Sequence, residues 1–147
     1  MKRLMMLIMA LMMLSGCAGA PKVDEAVSAA PVDIEIKEKL FIAQTNDMYY
    51  NAPDYLGKTI KYEGIFTRTE LPDDTFYTVI RYGPGCCGDD GNVGFEVKWD
   101  GKYPEPNDWV EAVGVLSSYE DEGNKYLYLD LNSLTVLDVR GAETVVQ

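Results

Sequence analysis

The chain contains no histidine. That removes Ser-His-Asp and Cys-His catalysis, histidine-ligated zinc and a histidine-based pH switch. Basic residues are scarce: 13 Lys and Arg stand against 24 Asp and Glu, a formal net charge of -11. So acidic a chain lacks the cations that phosphate backbones and anionic lipid surfaces demand, which excludes nucleic acid as a partner and adhesion to lipid by charge alone. The apolar run Leu4–Leu14 has eleven residues, well short of the roughly 20 that a membrane-spanning helix needs. Cysteine is limited to Cys17, Cys86 and Cys87. Among the many carboxylates no pairing marks a general acid and base, so nothing supports an enzyme.

What is present begins with the leader. Lys2 and Arg3 precede the apolar run, and small residues follow it at once, the layout of a secretory signal. Its ending, Leu14-Ser15-Gly16-Cys17, resembles the lipobox of bacterial lipoproteins. The resemblance implies cleavage before Cys17, a diacylglyceryl group on its sulfur, palmitate-type acylation, and attachment outside the cytoplasm at a membrane face. The competing reading is an ordinary signal peptide with a chance cysteine. Two acyl chains make a stable anchor where one is marginal. Ala18, not Asp, follows the cysteine, which in a two-membrane cell allows outer-membrane sorting. Residues 1–16 are therefore expected to be a signal peptide, and 17–33, rich in Ala, Pro, Val and charge, a flexible tether.

Residues 34–139 are expected to form one mainly all-β domain. Ile34 to Gln44 fits a short N-terminal helix or an extra strand, with an extended segment favoured over Leu40 to Thr45 and a turn or short helix over Asn46 to Leu56. Five alternating segments follow: Lys58–Arg68, Phe76–Tyr82, Val93–Trp99, Trp109–Ser117 and Lys125–Asp138. Alternation places Ile60, Tyr62 and Phe66 on one face, as it does Val93, Phe95, Val97 and Trp99, and Leu127, Leu129 and Leu131. Glycines interrupt the first and fourth, allowing the sharp coiling a small closed sheet needs. The pattern predicts a small five-stranded OB-like barrel, its usual connecting helix reduced or missing between Asp100 and Asp108. A two-layer β-sandwich is the alternative. Residues 140–147 are expected to be a frayed tail.

The segment Gly83–Asn92, with Cys86 and Cys87 at its centre, is expected to be a glycine-rich loop. A vicinal disulfide there would be strained and comparatively reducible. Two thiolates with Asp89 and Asp90 offer soft and hard donors for a metal ion, although one loop falls short of a tetrahedral zinc set. A purely structural loop is the third reading. Arg81, if the loop folds back, lowers a thiol pKa; otherwise it pairs across strands with Glu96 or Glu63. The stretch IRYGPGCCGDDGNVGFEV with DWVEAVGVL resembles the cysteine-pair region of an OB-like domain. That domain forms the C-terminal part of a family of uncharacterised bacterial membrane proteins paired with a predicted permease. Arg81, Cys86, Cys87, Asp90 and Gly94 match. Asp89 and Gly91 stand where the family has alanines, and Asn92 and Val93 stand around its usual proline. The resemblance implies a stand-alone lipoprotein form of a domain that accompanies a transporter.

OB-type domains bind ligands on strands 2 and 3 and on loops 1-2 and 4-5. Tyr77, Arg81, Glu96 and Lys98 are expected on one side of those strands, with Asp73, Asp74, Glu120, Asp121 and Glu122 on the loops. The acidic loop lacks the spacing of a calcium site. The residues thus point to a non-catalytic, membrane-anchored binding domain accessory to a transporter or envelope complex, with no cofactor. The alternative is a thiol-redox or metal-handling protein acting through Cys86 and Cys87.

Overall fold

The computed structural model describes residues 31–85 and 88–146; the side chains of Asp89 and Asp90 also lie outside that description. The leader, Cys17 and the tether as far as residue 30 fall outside it as well. The elements are β1 (Ile34–Glu35), α1 (Phe41–Tyr50), β2 (Thr59–Glu70), β3 (Thr75–Gly85), β4 (Gly88–Lys98), β5 (Trp109–Asp121) and β6 (Asn124–Val136). The sheet runs β1-β2-β3-β4-β6-β5, and β5 returns to pair with β2, so five strands form a ring. The β4–β6 contact is parallel and short, Glu96–Lys98 against Tyr128–Asp130. The other contacts around the ring are antiparallel. This is the mainly all-β, OB-like class expected, with no helix between β4 and β5.

The inward positions are those that alternation marks. Ile60, Tyr62 and Phe66 from β2, Phe95 and Val97 from β4, and Leu127, Leu129 and Leu131 from β6 meet in one core with Val79, Val110 and Leu116. Each large side chain withdrawn from water there contributes on the order of 1.5–3 kcal/mol. Gly64 keeps the inward parity of Ile60, Tyr62 and Phe66, and β3 passes so near that an added Cβ would lie 2.7 Å from the Ile80 carbonyl oxygen. Ile65, of the opposite parity, is on the outer face, where it forms a small second core with Ile80 and Trp109. In β5 the register shifts between Val113 and Gly114, the local bend that closing the ring demands.

Three local expectations are corrected. Leu40 to Thr45 is not extended: Phe41, Ile42, Thr45 and Met48 form the buried stripe of α1, a helical spacing that the nearby Ile34–Ile36 alternation obscured. Both a short strand and a helix form at the N-terminus, and Pro53 lies beyond the helix end, where the chain turns toward β2. Of the segment Gly83–Asn92, the described residues 83–85 and 88–92 are not loop but the distal part of the β3–β4 pairing, with Tyr82 opposite Asn92 and Gly85 opposite Gly88. Glycine richness reads as loop, yet paired backbone amides hold the strands without help from side chains. Finally, the tail, expected to fray, is docked as far as Val145. Tyr82 N–H donates to the Glu143 carbonyl and Val145 N–H to the Tyr82 carbonyl, both at 2.8 Å, and Val145 is only 2% exposed.

A candidate binding groove across β3 and β4

A groove of about 480 Å³ crosses the start of β3 and the end of β4. Two turns bound it. On one side the β2–β3 turn closes through Leu71 N–H to the Asp74 carbonyl (2.8 Å), and the Asp74 carboxylate accepts from Thr75 N–H (2.7 Å). On the other side β5 and β6 are joined by Glu122 and Gly123, whose φ values of 48° and 81° suit a tight hairpin turn. That hairpin brings Tyr119, Glu120 and Asp121 to the rim.

Aromatic rings form the floor and one wall. Tyr77 and Tyr103 stack with centroids 3.8 Å apart and planes within 10°, and both pack on buried Phe66 at 5.9 and 5.7 Å. Tyr103 is fixed from its far end, where its hydroxyl oxygen accepts from Trp99 N–H (2.9 Å). Tyr119 donates its hydroxyl to the Glu96 carboxylate (2.7 Å). The Lys98 ammonium lies over two rings at once, 4.6 Å from the Tyr119 centroid and 4.1 Å from that of Tyr128. Burial, and then the Glu96 carboxylate, push the Tyr119 phenol up from its usual value.

Of the residues singled out in the sequence, Tyr77, Glu96, Lys98, Asp74, Glu120 and Asp121 all line this groove, whereas Asp73 and Glu122 are not among its lining residues. Tyr77, Arg81, Glu96 and Lys98 do not, however, share one side of the strands. Thr78 is the register partner of Glu96, and Val79 that of Phe95, so Tyr77 is on the inner face and Glu96 on the outer. They meet because the groove wraps the open end of the ring. Tyr103 and Tyr119 were not singled out. Tyr103 lies in an irregular connection with no period to read. Tyr119 carried a signal in the hairpin tyrosines Tyr119, Tyr126 and Tyr128, whose rings lie 5.4 and 5.9 Å apart.

Arg81 is elsewhere, 3% exposed. Its guanidinium is sandwiched between the rings of Phe41 and Trp109 at 4.9 and 4.8 Å. Nε donates to the Glu63 carbonyl (2.8 Å) and Nη1 to the Ala142 carbonyl (3.2 Å), with the Glu38 carboxylate 3.6 Å away. Its cross-strand partner is thus Glu63, through the backbone. Cys86 and Cys87 lie outside the described residues, between paired Gly85 and Gly88. Among the described residues no three carboxylates or thiols gather closely enough to hold a metal.

A model of the DUF1980 C-terminal domain matches residues 21–145. The chain belongs to that family. The family is an uncharacterised one, and the match supports the resemblance carried by the paired-cysteine segment. No curated protein matches the sequence. The matched range takes in the ring, the β3–β4 hairpin and the docked tail, so the family domain includes the whole groove.

The tyrosines set an alkaline limit. Burial raises the phenols of Tyr49, to about 12, and of Tyr62. The fold therefore favours their neutral forms. That stability is complete below the usual value near 10.0 and is lost as pH climbs through the folded values. Tyrosinate absorbance should show these rings silent at pH 10, and urea midpoints should fall between pH 10 and 12. Glu96→Gln should bring the Tyr119 titration back toward its usual value; an unchanged titration would remove Glu96 from the account.

Proposed function

We propose that the chain is a non-catalytic binding protein, anchored by lipid on Cys17 outside the cytoplasm and accessory to a transporter or another envelope complex. The observation that carries the reading is the groove's position. It spans β3 and β4 between the β2–β3 turn and the β5–β6 hairpin, the strands and loops with which OB-like domains engage ligands. Stacked tyrosines supply contact area at low entropic cost, and the Glu96–Tyr119 pair fixes one wall. The leader motif supports the anchor, and the family's association with a predicted permease supports the transporter context.

Two measurements test it. Metabolic labelling with a clickable fatty acid should mark the wild-type protein in the membrane fraction, and Cys17→Ser should lose the label and the sedimentation together. A photo-crosslinking residue at position 119 should yield discrete adducts in intact cells that one at exposed Tyr50 does not, and Glu96→Lys should suppress them. Equal capture at both positions would sink the groove, and catalytic turnover by the purified protein would sink the non-enzymatic reading.

The second reading, thiol-redox or metal handling, is motivated by the hairpin that carries Cys86 and Cys87 between Gly85 and Gly88. Mass spectrometry of the protein purified in air without chelator separates the states: loss of two hydrogens marks the disulfide, and an adduct released on denaturation marks a metal. Paired serine substitutions that abolish function while preserving the fold would favour this reading over the groove.

A further inference from the structure

The edge of the groove carries an ammonium group, the chain's own: Lys98 and Tyr119 line the groove, and Tyr128 adjoins them. Lys98 extends from the solvent-facing side of β4 and its Nζ lies over the faces of Tyr119 and Tyr128 at 4.6 and 4.1 Å. Among the described residues, the ion pairs are Lys37–Glu35, Lys61–Glu111, Arg68–Glu70, Arg81–Glu38 and Arg140–Glu143; Lys98 enters none of them. What seats it is the negative face of two rings. Asp74, Glu96, Glu120 and Asp121, all lining the groove, are likewise outside these ion pairs among the described residues.

The spacing of these charges selects among cations. A divalent metal requires carboxylates converging on one point, and no such convergence occurs among the described residues. Here the carboxylates are distributed: Asp74 on the β2–β3 turn, Glu96 on β4, Glu120 and Asp121 on the β5–β6 hairpin. A ligand that satisfies all of them carries its positive charges at intervals. Between those charges it must present apolar surface to the stacked rings of Tyr77 and Tyr103. Phosphate-bearing ligands are repelled by the same carboxylates. Resting on the groove reading above, we propose that the groove binds a linear alkyl polyamine: one ammonium displaces Lys98 from the Tyr119–Tyr128 seat, the methylene chain lies along Tyr77 and Tyr103, and the remaining ammoniums face Asp74, Glu120 and Asp121. The volume of about 480 Å³ is within the range of small-molecule sites.

The test uses the full mature chain in detergent, titrated with spermidine and, separately, with magnesium at matched ionic strength, following backbone amide shifts by NMR. Spermidine should move the amides of Tyr77, Lys98, Tyr119 and Tyr128, and magnesium should not. Lys98→Met, at an exposed position, removes the internal competitor and should tighten spermidine several-fold. Tyr128→Leu should weaken it by roughly 3- to 10-fold. The proposal is overturned if spermidine leaves these amides unmoved in both wild type and Lys98→Met. It is equally overturned if magnesium reproduces the shifts, or if Lys98→Met weakens binding. Crosslinking from position 119 separates the two readings: adducts there with no spermidine response keep the groove and discard the polyamine, whereas loss of both discards both.

Discussion

Arg81→Met should destabilise the domain by about 2–4 kcal/mol, read as a lowered urea midpoint with an unchanged slope. Methionine replaces much of the apolar stem, so the loss isolates the guanidinium. Two carbonyls, those of Glu63 and Ala142, lose a charge-assisted donor, and the rings of Phe41 and Trp109 lose the cation between them. The Ala142 contact also fastens the tail whose next residues pair with Tyr82. Arg81 therefore joins β3, α1 and the C-terminus. Burial lowers the guanidinium's pKa while Glu38 and Glu63 oppose that, and an arginine stays charged in either balance. Glu38→Gln provides the contrast. Glu38 is 56% exposed and 3.6 Å away, so its loss should cost under about 1 kcal/mol. Comparable losses from both variants would mean the ion pair, rather than the sandwich and carbonyl bonds, holds the junction.

That junction also shows where sequence reading stops. The five strands were legible because each has a period of two and a turn signal at each end. The groove's loops were legible because Asp73–Asp74 and Glu120–Glu122 fall between those strands. Arg81 alternates with Tyr77 and Val79 as any strand residue does, and nothing local distinguishes a solvated arginine from one sealed by a tail 61 residues on. The β3–β4 hairpin was hidden for a different reason. Its distal pairing is carried by backbone at Gly83, Gly85, Gly88 and Gly91, so no side-chain pattern records it. Tyr77 and Glu96 both line the groove but do not share the one face expected of them, since register between two strands cannot be read from either strand alone.

Gly94→Ala should destabilise by roughly 2–4 kcal/mol, more than its loss of one methyl-sized space suggests. A Cβ there would lie 2.1 Å from the Val79 carbonyl oxygen and 2.9 Å from the Ile80 Cα. Both are backbone atoms of the paired strand, so no side chain can rotate aside, and β3 and β4 must part. Val79 and Phe95, register partners in the core, would move with them. The Gly94 carbonyl also accepts the Tyr49 hydroxyl at 2.9 Å, which ties α1 to this strand. Gly94 also has φ of 156°, so alanine there bears a backbone cost as well, and Gly57→Ala gauges a positive-φ glycine that has no such contact. Gly57 has φ of 85° with nothing within 4 Å of the added Cβ, so alanine there bears only the left-handed backbone cost of about 1–2 kcal/mol. A larger loss at Gly94 than at Gly57, with amide shifts spreading to Glu96 two residues along, would place the cause in the strand contact and link it to the groove wall. Equal losses would reduce Gly94 to a matter of backbone preference.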